Sequence, residues 1–288
     1  MADFFNNIIL PNKLKKNRKN SYEINQKNSI TPIYIKRKFD IITSRFDKIE
    51  FKVIFIGISG GQASGKKKIS EYFKNNIGAC STICEISFLK EGEKERKISK
   101  EDEYLIKDYK FYSKERRLYL IDKCNPDCYD YDKFYETLKN LRDGKSVKIP
   151  YFDEKEFRFN HEKDRIIDPE KTPIIIIDGY FIFRNKEVRD LLNLKIYKDI
   201  EDDYIRLSRL VLREEKILNG NPQAYDLFFA IYEKFYKTSY DEYIVTHKNF
   251  ANIVLPDYNI DENNEIEVDV TLEFILSILR NLINKKSK

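Results

Sequence analysis

The residues with the clearest chemical purpose form one run, Gly57-Ile58-Ser59-Gly60-Gly61-Gln62-Ala63-Ser64-Gly65-Lys66-Lys67-Lys68. From Gly60 to Lys66 it follows G-x-x-x-x-G-K, a loop whose backbone N–H groups cradle phosphate while the lysine reaches the β/γ-phosphates. The whole chain holds only 9 glycines, and Gly57, Gly60, Gly61 and Gly65 lie in this one segment. Glycines at a strand-to-helix junction let backbone amides turn inward on an anion with no Cβ in the way. The partial positive charge of the following helix N-terminus adds to the attraction. Gly60, Gly61, Ser64, Gly65 and Lys66 are therefore the candidate nucleotide-binding residues, and Lys67 joins them with a different role.

The position after the loop lysine ordinarily supplies a hydroxyl oxygen to Mg²⁺. Here it is Lys67, whose ammonium has three donors and no acceptor. A positive charge about 4 Å from a divalent ion is repelled by roughly 8 kcal/mol at an effective dielectric of about 20. Ser70, one helical turn on, is too remote to take over. Phosphate binding is expected; ordinary placement of Mg²⁺ is not.

The elements around the loop follow from pattern. Lys52 to Ile58 (KVIFIGI) is a short apolar, β-branched run ending at glycines, the mark of a buried strand. From Lys67 to Asn76, Ile69, Tyr72 and Phe73 recur on one helical face. Ser81 to Leu89 is expected as a second strand, Tyr131 to Arg142 as an amphipathic helix stopped by Asp143-Gly144, and Pro173 to Asp178 (PIIIID) as a central strand. A short strand at Leu194 to Tyr197, helices over Asp203 to Glu215 and Asp226 to Tyr243, a strand at Ala251 to Leu255 and a helix over Val270 to Ile283 complete the series. Alternating strands and helices predict a mostly parallel sheet covered on both faces: an α/β, P-loop NTPase-type three-layer sandwich.

The chain has 288 residues, 41% hydrophobic and 35% charged, with a net charge of +5. That is enough apolar material for a sizeable core, and no apolar run approaches the roughly 18 residues of a membrane helix. The opening MADFFNNIILP has neither the basic lead nor the apolar core of a secretory signal, so a cytoplasmic chain without membrane contact is expected. Residues 1–50 read as a basic, partly disordered extension carrying KLKKNRK and KRK, either simply solvated or in contact with RNA or a ribosome. Residues 51–288 read as the P-loop domain, with a charged, exposed insertion at 90–103. Cys80/Cys84 and Cys124/Cys128 have knuckle-like spacing but lack a Gly-rich turn, so packed thiols are expected rather than zinc.

Several segments in consistent order, over about residues 50–283, resemble the uridine–cytidine kinases of the phosphoribulokinase/uridine kinase group. GISGGQASGK resembles the family's G-x-S-G-G-x-A-S-G-K-S, and Asn125-Pro126-Asp127-Cys128-Tyr129-Asp130 is similar to its D-H-P-D-A-F-D. GKSVKIP (144–150) is similar to the entry into its nucleoside-binding hairpin. Asp178-Gly179, Glu187 to Leu191, Arg206 to Arg213 and KNFANIVLP (248–256) follow its E-G, E-V-R-D-L, R-L-S-R-R-V-L-R and K-K-Y-A-D-V-I-I-P. The resemblance implies ATP:nucleoside 5′-phosphoryl transfer, with Asp178 holding Mg²⁺ through water, Arg209 on the nucleotide, Arg213 as charge clamp, and Asp127, Phe152 and Asp153 facing the nucleoside. It implies homo- or hetero-oligomeric assembly as well.

Carried over position by position, many functional residues differ. The metal hydroxyl is Lys67, the substrate-facing Asp and His of D-H-P are Cys124 and Asn125, and the hairpin's Tyr and His are Phe152 and Phe157. The second arginine of S-R-R is Leu210, and the lid's R-G-R falls near Asn219-Gly220-Asn221. The family's S-Q-D-S-F/Y-Y supplies the general base. Its Asp falls on Leu89 and is lost if the strand ends at Glu85-Ile86-Ser87, or is Asp108 if the strand ends at Tyr104 to Asp108. These replacements imply a nucleotide- or partner-binding protein with impaired catalysis. The alternative is an active nucleoside kinase with a rebuilt metal and acceptor site.

Overall fold

A computed structural model describes residues 53–90, 124–154, 158–200, 202–257 and 270–286. The extension at 1–50, the insertion beyond Lys90, and Asp108 lie outside the described residues. The central sheet has five strands: β1 (Ile54–Gly60), β2 (Cys80–Cys84), β7 (Ile174–Gly179), β8 (Leu194–Lys198) and β9 (Ile253–Leu255). Their order is β2-β7-β1-β8-β9, and every pairing is parallel. Two short antiparallel ribbons lie between β2 and β7 in sequence. One pairs β3 (Val147–Ile149) with β6 (Arg165–Ile167), the other β4 (Phe152–Asp153) with β5 (Arg158–Phe159).

The parallel sheet is buried on both faces because every other residue of an apolar strand points each way. Val53, Phe55, Ile83, Ile175 and Ile177 meet Phe134, Leu138 and Leu141 of α2 (Tyr131–Arg142) and Val188 and Leu191 of α3 (Lys186–Leu191). On the opposite face α1 (Lys66–Asn76) packs Ile69 and Phe73 against β1 and β7. Beside it runs α6 (Val270–Lys286), joined to it by a Tyr72 hydroxyl donating to Glu273 and by Arg280 donating to the Asn76 carbonyl at 3.3 Å. These layers form the expected three-layer α/β sandwich.

Three boundaries differ from expectation. The apolar run Ser81–Leu89 is not one strand: β2 stops at Cys84, and Glu85–Phe88 is a tight 3₁₀ turn. The Glu85 side chain turns inward to bond backbone amides, which ends the extended conformation. The helix expected over Asp226–Tyr243 is α5 (Pro222–Ile231), then two π-helical segments, Tyr232–Lys237 and Tyr240–Ile244. The helix expected over Asp203–Glu215 extends as α4 (Asp203–Leu218), where Asn219 adopts a left-handed conformation and closes it.

Candidate functional site: the phosphate loop and its rim

The loop between β1 and α1 is shaped as its sequence demands. Gly65 sits at φ 92 and Ala63 at φ 54, two left-handed residues that fold the chain back before the helix. Gly60 lies so close to the Lys198 carbonyl that a Cβ there would meet its oxygen at 2.5 Å. The Lys66 ammonium is buried in the loop it serves, donating to the Gly60 carbonyl at 2.8 Å and the Gly61 carbonyl at 2.7 Å, 4.3 Å from the centre of the Tyr180 ring. Burial pulls its pKa down to about 8, against the opposing charges of Asp178 and Glu85. Ser64 is buried in the same loop, its hydroxyl 3.5 Å from the Lys66 ammonium.

Lys67 points elsewhere. Its side chain is 74% exposed, and its ammonium is 3.6 Å from Glu154, just beyond β4. Asp178, the penultimate residue of β7, lies level with Cys84 of β2. Burial pushes the Asp178 carboxyl upward, against the Cys84 thiol's hydrogen bond and the charges of Lys66 and Lys67. The Ser70 hydroxyl is buried in α1 and acts on this carboxyl. It lies three residues beyond Lys67, about 4.5 Å further down the helix axis. The groups acting on Asp178 are the Cys84 thiol, the Ser70 hydroxyl and the charges of Lys66 and Lys67, and position 67 itself offers no oxygen. A phosphate fits this loop; the usual metal arrangement does not.

A carboxylate that sequence reasoning missed lies at the same end of the sheet. Glu85 is buried, and its Oε2 accepts from the amides of Tyr180 at 2.7 Å and Phe181 at 2.9 Å, while Oε1 is 3.4 Å from the Tyr131 hydroxyl. Burial raises its pKa to about 7. Gly179 is the available signal: a Cβ there would stand 2.4 Å from Glu85 Oε2. Glu85 thereby holds the turn that sets Tyr180 against Lys66. The Tyr180 carbonyl also accepts from Ser59 Oγ at 3.1 Å, and Ser59 is 2.8 Å from Nδ1 of the buried His247. Burial drops the His247 pKa to about 3.

The rim of the site is built differently. β2 ends at Cys84, before the Glu85-Ile86-Ser87 strand end on which the Leu89 position of the base rests, and Asp108 lies outside the described residues. Ile86 packs at the edge of an aromatic cluster, and Leu89 is buried in it beside Tyr129. Phe152 is buried in that cluster, edge-on to Phe159. Asp153 is half-buried, 3.9 Å from Lys163. Asp127 is exposed in a 3₁₀ turn, its amide bonded by the Asn125 side chain at 2.9 Å. Cys124 and Leu210 are buried together with Leu218 and Phe228.

Among the cations, Arg209 is 3.0 Å from Asp257, whereas Arg213 stands near enough to Lys66 to lower its pKa and is 3.1 Å from Glu214. The lid position is a turn between α4 and α5: Asn219 closes one helix, and Asn221 caps the next by accepting from the Gln223 amide at 3.0 Å. None of the four cysteines is in a disulfide, and no group of three or more His, Cys, Asp or Glu suited to a metal ion occurs among the described residues. Nor is any helix among them long and apolar enough to cross a membrane.

Sequence comparison places these features in a family. The uridine kinases of Staphylococcus aureus strains JH9 and Newman are each 27% identical over 224 residues, 78% of this chain and 96% of theirs. Among solved structures, a possible uridine kinase from Bacillus stearothermophilus is 15% identical with a TM-score of 0.43, covering 77% of this chain and 99% of that one. The sequence model of the Phosphoribulokinase / Uridine kinase family matches residues 55–262. The chain belongs to the phosphoribulokinase/uridine kinase family.

Proposed function

We propose that this protein is a nucleotide-binding member of the family in which phosphoryl transfer is lost or nearly lost. The observation that carries the reading is Lys67, an ammonium where a metal-binding hydroxyl is required, its side chain turned out to Glu154. Phosphoryl transfer is mostly positioning plus charge neutralisation, and removing a charge clamp costs about 10³–10⁵ in rate. Here the metal hydroxyl, the lid cations and several nucleoside-facing groups are replaced together. The intact loop supports ATP as the ligand, held by Lys66 and the amides from Gly60 to Gly65. Purified protein given ATP, Mg²⁺ and uridine or cytidine should form no monophosphate above the buffer control, while ATP raises its Tm. Turnover would overturn the reading.

Asp178 at the strand end and Arg213 near Lys66 favour a second reading, an active ATP-dependent nucleoside 5′-kinase with a rebuilt acceptor site. In it Lys66 and Arg213 hold the phosphates, Asp178 binds metal through water, and Asp108 is the base. This reading requires turnover that Asp108→Asn abolishes.

A further inference from the structure

Lys67 is more than a missing ligand. It occupies the first turn of α1, one residue beyond the lysine that lies in the loop. Its ammonium is 3.6 Å from Glu154 in a pair exposed on both sides, 74% and 51%. Exposed pairs of this kind contribute little to stability, so the ammonium can leave Glu154 at small cost. The Lys67 charge also acts on Asp178. It therefore lies within electrostatic reach of the acidic group that, with the hydroxyl, would flank a metal. An ammonium there can do what a metal does for binding: neutralise phosphate oxygens, through up to three charge-assisted hydrogen bonds. It cannot share the space with a divalent cation without strong repulsion.

We propose that Lys67 is a resident counter-cation, and that the ligand of this loop is a metal-free nucleoside triphosphate. Glu154 is the ammonium's resting partner, and the terminal phosphates replace it when nucleotide enters. The inference rests on the nucleotide-binding reading above and adds to it the form of the ligand. A metal-complexed nucleotide brings a divalent charge to the place Lys67 occupies, so it binds more weakly than the free nucleotide.

The test is ATP affinity by calorimetry, in EDTA and in excess Mg²⁺, on the full chain. Wild-type protein should bind ATP in EDTA and more weakly in excess Mg²⁺; affinity unchanged by Mg²⁺ would overturn the metal-free form of the ligand. Lys67→Ser should lose about tenfold or more in EDTA, the scale of one charge-assisted hydrogen bond, and should regain affinity when Mg²⁺ is added. Glu154→Gln should bind slightly more tightly in EDTA. Lys68→Ser removes an equal charge from the same helical turn and should leave the metal dependence unchanged. Lys67 is exposed, so Lys67→Ser should unfold at the wild-type temperature. Wild-type binding that requires Mg²⁺, or a Lys67→Ser protein that binds as wild type in EDTA, overturns the proposal while the nucleotide-binding reading stands. Absence of ATP binding under both conditions overturns both.

Discussion

The phosphate loop and the positions matched to the family's acceptor and lid are held by different kinds of interaction. On the phosphate side the decisive contacts are backbone and charge: left-handed Gly65 and Ala63, the Lys66 ammonium on loop carbonyls, and Glu85 bridging the Tyr180 and Phe181 amides. The positions that the family resemblance matches to acceptor and lid lie in packing and at helix ends. Leu210 lies in the core, Phe152 in an aromatic cluster, and Asn219 and Asn221 terminate and start helices. A loop whose shape comes from its own backbone keeps its binding geometry after neighbouring side chains change. A lid built from side-chain cations does not survive the exchange of arginine for leucine or asparagine.

This contrast breaks most sharply at Leu210. Restoring the family's arginine there, Leu210→Arg, should not restore a functional cleft, because the side chain at that position is fully buried. An unpaired buried guanidinium should cost about 3–5 kcal/mol, read as a lowered urea midpoint. A Leu210→Arg protein as stable as wild type would mean that the lid side is more open than its packing indicates.

The phosphate side is probed by pH. The Glu85 pKa rises from 4.5 to about 7 on folding. Between those values the folded chain holds a proton that the unfolded chain has released, so the Glu85 contribution to stability falls as pH rises. Across the window this amounts to about 3 kcal/mol. His247 acts with the opposite sign: its pKa falls from 6.5 to about 3, so its contribution is lost as pH falls below 6.5. The two partly cancel in wild type. Subtracting the stability profile of Glu85→Gln, which keeps an acceptor for both amides, isolates the Glu85 slope. Parallel profiles would show that Glu85 does not titrate in this window.

The smallest effect sharpens the comparison at the lid turn. Asn221→Ala removes the cap of α5 and should cost about 1 kcal/mol, seen as a modest drop in Tm, with ATP affinity unchanged. A loss of affinity would make the turn part of the phosphate site.

Local signals served well where one interaction dominates. KVIFIGI and PIIIID are buried strands because nothing but a covered parallel sheet accepts such runs, and glycines fix the turn into α1. They failed where a side chain acts at long range. STICEISFL reads as one strand by hydrophobicity, yet its single carboxylate meets amides 95 and 96 residues away and ends β2.

The sequence by itself determined the family, the phosphate loop, and the chemical fact that Lys67 offers no acceptor to a metal. These are properties of residue type and local spacing, which no neighbour can change. Tertiary structure alone decided where each charge is directed: Lys67 to Glu154, Arg209 to Asp257, Glu85 to the turn after β7. The partner of a long charged side chain is set by what the fold brings within a few ångströms, and the parallel crossovers bring together residues far apart in the chain.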